Sequence, residues 1–160
     1  MIKVQQENFD VSAELASLTA GNHQIGGVVS FVGLVRDLTK ADGRDSALKA
    51  MTLEHYSGMT EKKLAEIEAE AQARWPLEAS LIIHRYGHLQ PGEQIVLVAC
   101  ASAHRQAAID ACSFLIDWLK TEAPLWKLEE TDTGKEWVES RAGDDAAAAR
   151  WQVKPDRAVE

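Results

Sequence analysis

Residues 102–127 read SAHRQAAIDACSFLIDWLKTEAPLWK and predict one amphipathic helix that carries positive charge at both ends. Its apolar side chains recur at steps of three and four residues, which stacks them on one helical face: Ala108, Cys112, Leu115 and Leu119. Ser102 is a residue type that caps helices, and Pro124 cannot continue one, so the helix is bounded on both sides. We expect the rest of the fold to pack around this helix.

Positively charged residues are unfavourable at the start of this helix and favourable at its end, so the two ends are interpreted differently. His104 and Arg105 fall in the predicted first turn, where a cation costs roughly 0.3–1 kcal/mol against the helix dipole. A bound phosphate or carboxylate would offset that cost, but side chains that extend into solvent are an equal alternative. Lys120 falls in the last turn, where a cation is favourable, so the local pattern favours a surface lysine. Lys127 belongs to the element that follows.

The composition indicates an acidic protein of one domain. The 160 residues carry a formal net charge of −8, and the pI is near 5.1. A chain of this length buries roughly 70% of its unfolded surface, so we expect one domain over residues 1–151 and a flexible tail at 152–160. Because the negative mean field repels nucleic acids and anionic membranes, neither is expected as a partner.

The cysteine and histidine patterns do not predict a metal or redox site. Cys100 and Cys112 lack C-x-x-C spacing, which favours buried, reduced thiols and a cytoplasmic location. The N-terminus lacks the apolar core of a signal peptide, and the longest apolar run, residues 95–101, is too short to span a bilayer. His84 and His88 would share one face of a strand, but no third ligand accompanies them, so core or edge histidines are favoured. We expect neither a metal nor a cofactor.

The segment before residue 48 contains one further candidate for anion binding. Residues 25–35, IGGVVSFVGLV, predict a buried strand whose backbone passes close to a neighbour at Gly33. Arg36 ends this strand: either it is a surface residue, or it directs its fixed fork of donors at an anion. Residues 37–47 predict a mobile loop, which is either the rim of a site or a solvated connector.

The order of the elements predicts an α+β fold. They are a strand within residues 2–9, a helix at 11–18, strands at 25–35 and 48–56, a helix at 60–75, strands at 81–89 and 94–101, the long helix, a hairpin of 125–131 and 135–140, and a short helix between 143 and 151. The β-α-β-β-α-β order from residue 48 indicates a mostly antiparallel sheet with helices packed on one face and the C-terminal hairpin as an addition. Alternation places Lys127 and Glu129 on one face of the hairpin, and Trp126 and Leu128 on the other.

Four segments in this order and spacing resemble one family, the large, catalytic subunit of molybdopterin synthase. They are F-x-G-x-V-R at residues 31–36, TLEHYSGMTEK at 52–62, SAHR at 102–105 and LKTEAPLWK at 119–127. The resemblance extends to about Trp151. It implies an α/β-hammerhead fold and a central homodimer, with one small ubiquitin-like sulfur carrier at each end of the resulting heterotetramer.

The resemblance also implies a reaction. The Gly-Gly thiocarboxylate at the carrier's C-terminus would donate sulfur to a cyclic pyranopterin monophosphate, in two rounds, to give the dithiolene of molybdopterin. This sulfurtransferase chemistry belongs to molybdenum cofactor biosynthesis. Neither cysteine need take part, because the sulfur arrives already activated on the carrier.

Carried over by position, Lys120 and Lys127 match the catalytic lysines of the family. We expect Lys127 to take part in the chemistry, with a covalent intermediate as one route, and Lys120 to position the thiocarboxylate. The residues that match the binding of substrate and phosphate are Arg36, His104 and Arg105. The weaker pocket candidates are Phe31, Leu34, Val35, Leu128, Glu129 and Arg141. Leu34 departs from the family, since some members carry a basic residue there.

A different class of protein is compatible with the composition. A non-catalytic α+β module could sense an anionic metabolite through Arg36, Arg105 and the helix end, with the lysines as ligands. A scaffold that docks the carrier without turning over substrate is a third alternative. Only a catalyst would form dithiolene from a thiocarboxylated carrier and the pterin.

Overall fold

The computed structural model describes residues 1–36, 48–138 and 142–151 of the chain. Its strands are β1 (Ile2–Gln5), β2 (Gly27–Leu34), β3 (Leu48–His55), β4 (Ala79–Arg85), β5 (Gly87–Leu89), β6 (Gln94–Ser102), β7 (Leu125–Thr131) and β8 (Gly134–Val138). Its helices are α1 (Val11–Thr19), α2 (Met59–Arg74), α3 (Arg105–Glu122) and α4 (Ala142–Ala149). The predicted α+β class is confirmed. The predicted loop at 37–47 and the predicted tail at 152–160 lie outside the described residues.

The first sheet has helices on both faces. Its strand order is β1-β4-β6-β2, and only the β1–β4 pair is parallel. Helices α2 and α3 cover one face, where Ile82 and Val98 join their apolar residues. Helix α1 covers the other face, where Leu81 and Leu97 pack against Phe9. The two helices that follow residue 48 therefore share one face, as the sequence predicts, and α1, which precedes them, covers the other because β4 and β6 are apolar on both faces.

The second sheet is antiparallel throughout, in the order β5-β3-β7-β8. The single strand predicted at 81–89 is in fact two strands, one in each sheet, and the chain changes sheet at Gly87 with a φ of +89°. His84 and His88 consequently do not share a face. His84 is buried in the first sheet, whereas His88 is exposed on the second.

Strand β2 is an edge strand, which corrects the prediction of a buried one. Among the described residues its one pairing partner is β6, and none of its own eight residues is buried. The close approach predicted at Gly33 is confirmed, since a Cβ there would lie 2.6 Å from Cγ1 of Val96. An apolar run cannot distinguish a core strand from an apolar edge, because both bear the same residue types.

Helix α3 begins later than the sequence predicts. Ser102 is the buried last residue of β6, and its hydroxyl donates to the carbonyl of Pro76 at 2.8 Å. His104 is the N-cap residue and makes no capping bond through its side chain. The C-terminal end agrees with the prediction, because the helix ends at Glu122 just before Pro124. The predicted apolar face is confirmed, and Leu115 is fully buried in it.

The C-terminal elements agree with the sequence analysis. β7 and β8 form the predicted hairpin, and α4 occupies the predicted short helical segment. Trp151 after α4 packs edge-on against Trp75 and Phe114, and its indole N–H donates to Asp117 at 2.7 Å. Among the described residues, no helix is long and apolar enough to cross a membrane.

Candidate functional site

Three of the predicted site cations lie at one end of the molecule. Helix α3 runs back along β6, because it starts two residues after that strand and Cys112 Sγ lies 3.9 Å from the carbonyl oxygen of Val98 in mid-strand. Its last turn, with the exposed Lys120, therefore lies towards the start of β6. Arg36 lies at the same end, since the backbone N–H of Val35 donates to the carbonyl of Glu93 at 2.9 Å.

Lys127 lies on the inner face of the second sheet at that same end. It pairs with Leu53 of β3, and Glu129 pairs with Met51. Opposite residues of an antiparallel pair share a face, so both charged side chains point with Leu53 and Met51 toward the apolar cluster that contains Val35. Lys127 is half-buried and Glu129 is buried. The prediction that these two residues share a face is confirmed.

His104 and Arg105 lie at the opposite end of the molecule. Both are exposed at the start of α3, and about 22 Å of helix separates Arg105 from Lys120 at 1.5 Å per residue. The length of β2 gives a similar distance between the two ends of the molecule, since this strand spans about 24 Å. Gly27 at its first end pairs with Ser102, and Leu34 at its second end pairs with Gln94, close to Arg36. One chain therefore does not bring the five cations together.

The start of α3 has the features of an anion-binding helix end. Its first turn contains no acidic residue, and the side chains of His104 and Arg105 stand beside the backbone N–H groups. The segment before it is held in place by the backbone, since the N–H of Gly26 donates to the carbonyl of Ser102 at 3.0 Å. Gly26 also lies against Ala103, where a Cβ would stand 2.2 Å from the carbonyl oxygen.

The weaker pocket candidates are dispersed. Phe31 and Leu34 are exposed along the β2 edge, and Val35 is buried next to Arg36. Leu128 follows Lys127 on β7, so it lies on the opposite face of the sheet from that lysine. Arg141 lies outside the described residues.

The described residues contain no cluster of metal ligands, and both cysteines are buried. Within the described ranges, no three histidine, cysteine or acidic side chains come close enough to hold a metal ion. Cys100 and Cys112 are both buried and free of disulfides. The hydrogen bond with Cys112, together with burial, raises the pKa of the Cys100 thiol, so it stays protonated. The prediction that both cysteines are buried is confirmed.

Sequence reasoning did not identify an aromatic cleft beside the lysines. Tyr56, Trp126 and Trp137, with Glu54 and His55, line a cleft of about 450 Å³ on the outer face of the second sheet. Strand alternation already placed Trp126 on that face. Tyr56 could not be assigned to it, because it follows β3, which is distant in sequence, and the face of Trp137 depends on the register of the β7–β8 hairpin.

Comparison with known proteins agrees with this architecture. The molybdopterin biosynthesis MoaE protein from Burkholderia ambifaria has a solved structure that is 50% identical, with a TM-score of 0.81 over 96% of this chain and 98% of that one. Molybdopterin synthase from Staphylococcus aureus is 33% identical, with a TM-score of 0.77 over 86% of this chain and 96% of that one. The molybdopterin synthase catalytic subunit of Pseudomonas aeruginosa is 58% identical over 151 residues, which are 94% of this chain and 98% of that protein. Since the model of the MoaE protein family also matches residues 4–122, the chain belongs to the MoaE protein family.

Proposed function

We propose that this chain is the catalytic subunit of a molybdopterin synthase. It would transfer sulfur from the C-terminal thiocarboxylate of a small ubiquitin-like carrier to a cyclic pyranopterin monophosphate, which becomes the dithiolene of molybdopterin. The observation that carries this proposal is the presence of Lys120, Lys127 and Arg36 at one end of an otherwise acidic molecule. Both proposed reactants are anions, and preorganised cations stabilise such groups and the charge that develops during transfer. The names of the relatives support the same reaction.

Within this site the two lysines would have different roles. Lys127, half-buried on a strand, is the better-positioned group for the chemical step, because a sheet fixes the direction of its side chain. Lys120 is exposed in the last helical turn, which suits a residue that binds and polarises an incoming carrier tail. Neither cysteine is required.

We propose further that a second copy of the chain completes the site. Edge strand β2 has no charged residue between Gly27 and Leu34, although charges commonly protect an exposed edge from pairing. Antiparallel pairing of two such edges, centred on the strand, would set Arg36 of one copy opposite Ile25 of the other and next to Gly26. Gly26 touches Ala103, the residue before His104. The phosphate site would then combine cations from both chains.

Substitution of Lys127 tests the reaction. Purified chain is mixed with thiocarboxylated carrier and cyclic pyranopterin monophosphate, and the dithiolene is quantified. We expect Lys127→Ala to abolish product and Lys135→Ala, which removes an exposed lysine of the neighbouring strand, to have almost no effect. Near wild-type turnover by Lys127→Ala would refute the role of that lysine. Wild-type protein that binds the pterin but yields no dithiolene would favour the sensor or scaffold alternatives.

Complementation tests the shared site. Lys127→Ala and Arg105→Ala are each expected to be inactive as homodimers. In a mixed dimer, one of the two sites receives both native residues, so random 1:1 mixing should restore about a quarter of wild-type activity. A mixture that stays inactive, although subunits exchange, would place all the residues of a site on one chain. Ser30→Lys, which adds a charge to the β2 edge, should give monomers in sedimentation.

We also propose a cytoplasmic location and a single domain over residues 1–151. Two buried cysteines without a disulfide suit a reducing compartment. The packing of Trp151 on Trp75 and Phe114 ties the end of α4 to the core and supports this boundary.

A further inference from the structure

The imidazole of His55 contains a buried nitrogen atom that lacks a partner. His55 is the last residue of β3, and its buried Nδ1 has no hydrogen-bond partner among the described residues. A buried polar atom without a partner is destabilising and uncommon in folded proteins, so it points to a role beyond packing. The ring itself is held in place by Tyr86, whose ring centroid lies 4.2 Å away with the two planes tilted by 45°. The packing therefore fixes the imidazole while its Nδ1 remains available.

His55 shares the inner face of the second sheet with Lys127. Alternation along β3 puts His55 on the same face as Leu53, and Leu53 pairs with Lys127 of β7. His55 itself pairs with Leu125, so Lys127 is its diagonal neighbour on the adjacent strand. Diagonal neighbours on one face are about 7–8 Å apart, which is within reach of a long side chain. The contact with Tyr86, which packs against the apolar cluster inside this sheet, agrees with an inward-facing ring.

The second imidazole in this region, His84 of β4, does not supply the missing donor. Its Nδ1 lies 2.8 Å from the carbonyl oxygen of Arg85, so this nitrogen carries the ring proton. Burial lowers the pKa of His84 to about 4, and the nearby His55 acts in the same direction, so the ring is neutral near pH 7. The other nitrogen of a neutral ring is an acceptor, and it cannot donate to His55. The ammonium group of Lys127, in contrast, has three N–H donors and can give one of them to His55 besides its other contacts.

We propose that His55 is a positioning residue for Lys127, whose ammonium group donates a hydrogen bond to the Nδ1 of His55 and is thereby held in the orientation needed for sulfur transfer. This proposal rests on the proposed function, in which Lys127 takes part in the chemical step. The stem of a lysine is flexible, and a fixed acceptor beside it restricts where the charge is placed. The anionic thiocarboxylate would then meet a cation that is already oriented.

Two substitutions of His55 separate the acceptor atom from the ring. His55→Asn keeps an acceptor near the position of Nδ1 but loses the ring that packs on Tyr86, whereas His55→Phe keeps a ring and loses the acceptor. We expect His55→Phe to lower kcat for dithiolene formation at least tenfold with little change in the KM for the carrier, and His55→Asn to keep at least a third of the wild-type kcat. In urea unfolding the order should reverse, with His55→Phe the more stable variant. Activity that follows stability, with His55→Asn the less active of the two, would assign His55 a structural role and overturn the proposal.

Nuclear magnetic resonance of the histidine nitrogens tests the hydrogen bond without turnover and with His55 intact. Lys127→Met removes the ammonium group and keeps a long, unbranched side chain, so we expect it to shift the Nδ1 resonance of His55 toward that of a nitrogen without a donor. Lys135→Met is the control, because Lys135 is exposed on β8 in an ion pair with Glu130, and it should leave this resonance unchanged. An Nδ1 resonance that does not respond to Lys127→Met would refute the positioning role alone. A response to Lys127→Met in a protein that forms no dithiolene from carrier and pterin would refute the proposed function alone.

Discussion

Replacement of Gly26 by alanine should damage the site without touching any charged residue. Gly26 lies one residue before β2, and a Cβ at this position would stand 2.2 Å from the carbonyl oxygen of Ala103. The shortest common contacts between carbon and a carbonyl oxygen are about 3.3 Å, so one backbone must move by about 1 Å. The atom in the way belongs to the main chain next to His104, and it cannot rotate aside as a side chain would.

The size of the effect follows from this displacement. Overpacking of this kind typically lowers the free energy of unfolding by about 1–3 kcal/mol. The catalytic effect should be larger, because a misplacement of about 1 Å in a positioning group can reduce the rate 10²-fold. The displaced segment leads directly into His104 and Arg105, so we expect Gly26→Ala to lose most of its turnover and to remain folded.

Gly27→Ala is the matched control, because a Cβ at Gly27 meets no atom within 4 Å. Urea unfolding gives the change in stability, and dithiolene formation at several pterin concentrations gives kcat and KM. We expect Gly27→Ala to differ little from the wild type in both assays. Equal stability and equal turnover of the two variants would refute the argument that the contact between Gly26 and Ala103 positions the start of α3.

Three further predictions concern stability. Burial lowers the pKa of His84 to about 4, compared with 6.5 in the unfolded state. Between these two pKa values the unfolded state binds a proton that the folded state does not bind. The free energy of unfolding should therefore fall by about 3 kcal/mol between pH 7 and pH 4 from this group, and urea titrations of His84→Gln should lack that part of the slope. Leu115→Ala removes a fully buried side chain and should cost about 2–5 kcal/mol in urea unfolding, whereas a loss below 1 kcal/mol would contradict the packing described for α3. Asp117→Ala removes the acceptor of Arg150 and Trp151, so limited proteolysis should cut α4 faster than in the wild type, and an unchanged rate would contradict its anchoring.

The sequence predicted those elements whose cause is local. The steps of three and four residues define α3, and alternation between faces defines the β7–β8 hairpin and the direction of Lys127. The break between β4 and β5 is not local in this sense. It depends on Gly87 and on the strand with which each half of the segment pairs. Pairing between strands that are distant in the chain cannot be predicted from a short stretch of sequence.

The candidate site was predictable as a set of residues but not as an arrangement. Arg36 and Arg105 both fall within segments that resemble the family, so each could be carried over by position. Their separation by the whole length of β2 follows from its register with β6, which the sequence does not reveal. The edge position of β2 was missed for the same reason, since an apolar strand that awaits a partner has the composition of a core strand.

The separation of the cations has an energetic consequence for the proposed dimer. In one chain, about 22 Å lies between Arg105 and Lys120, more than twice the Debye length of about 8 Å at physiological salt, so folding incurs little repulsion between the two groups. Like charges brought within 4 Å at an effective dielectric constant of 20 repel by about 4 kcal/mol. In the dimer this repulsion would arise only on association, and a bound phosphate and thiocarboxylate would offset it. Substrate binding and dimer formation should therefore stabilise each other. The phosphate and the thiocarboxylate would each interact with positive groups of two chains that a single chain holds far apart.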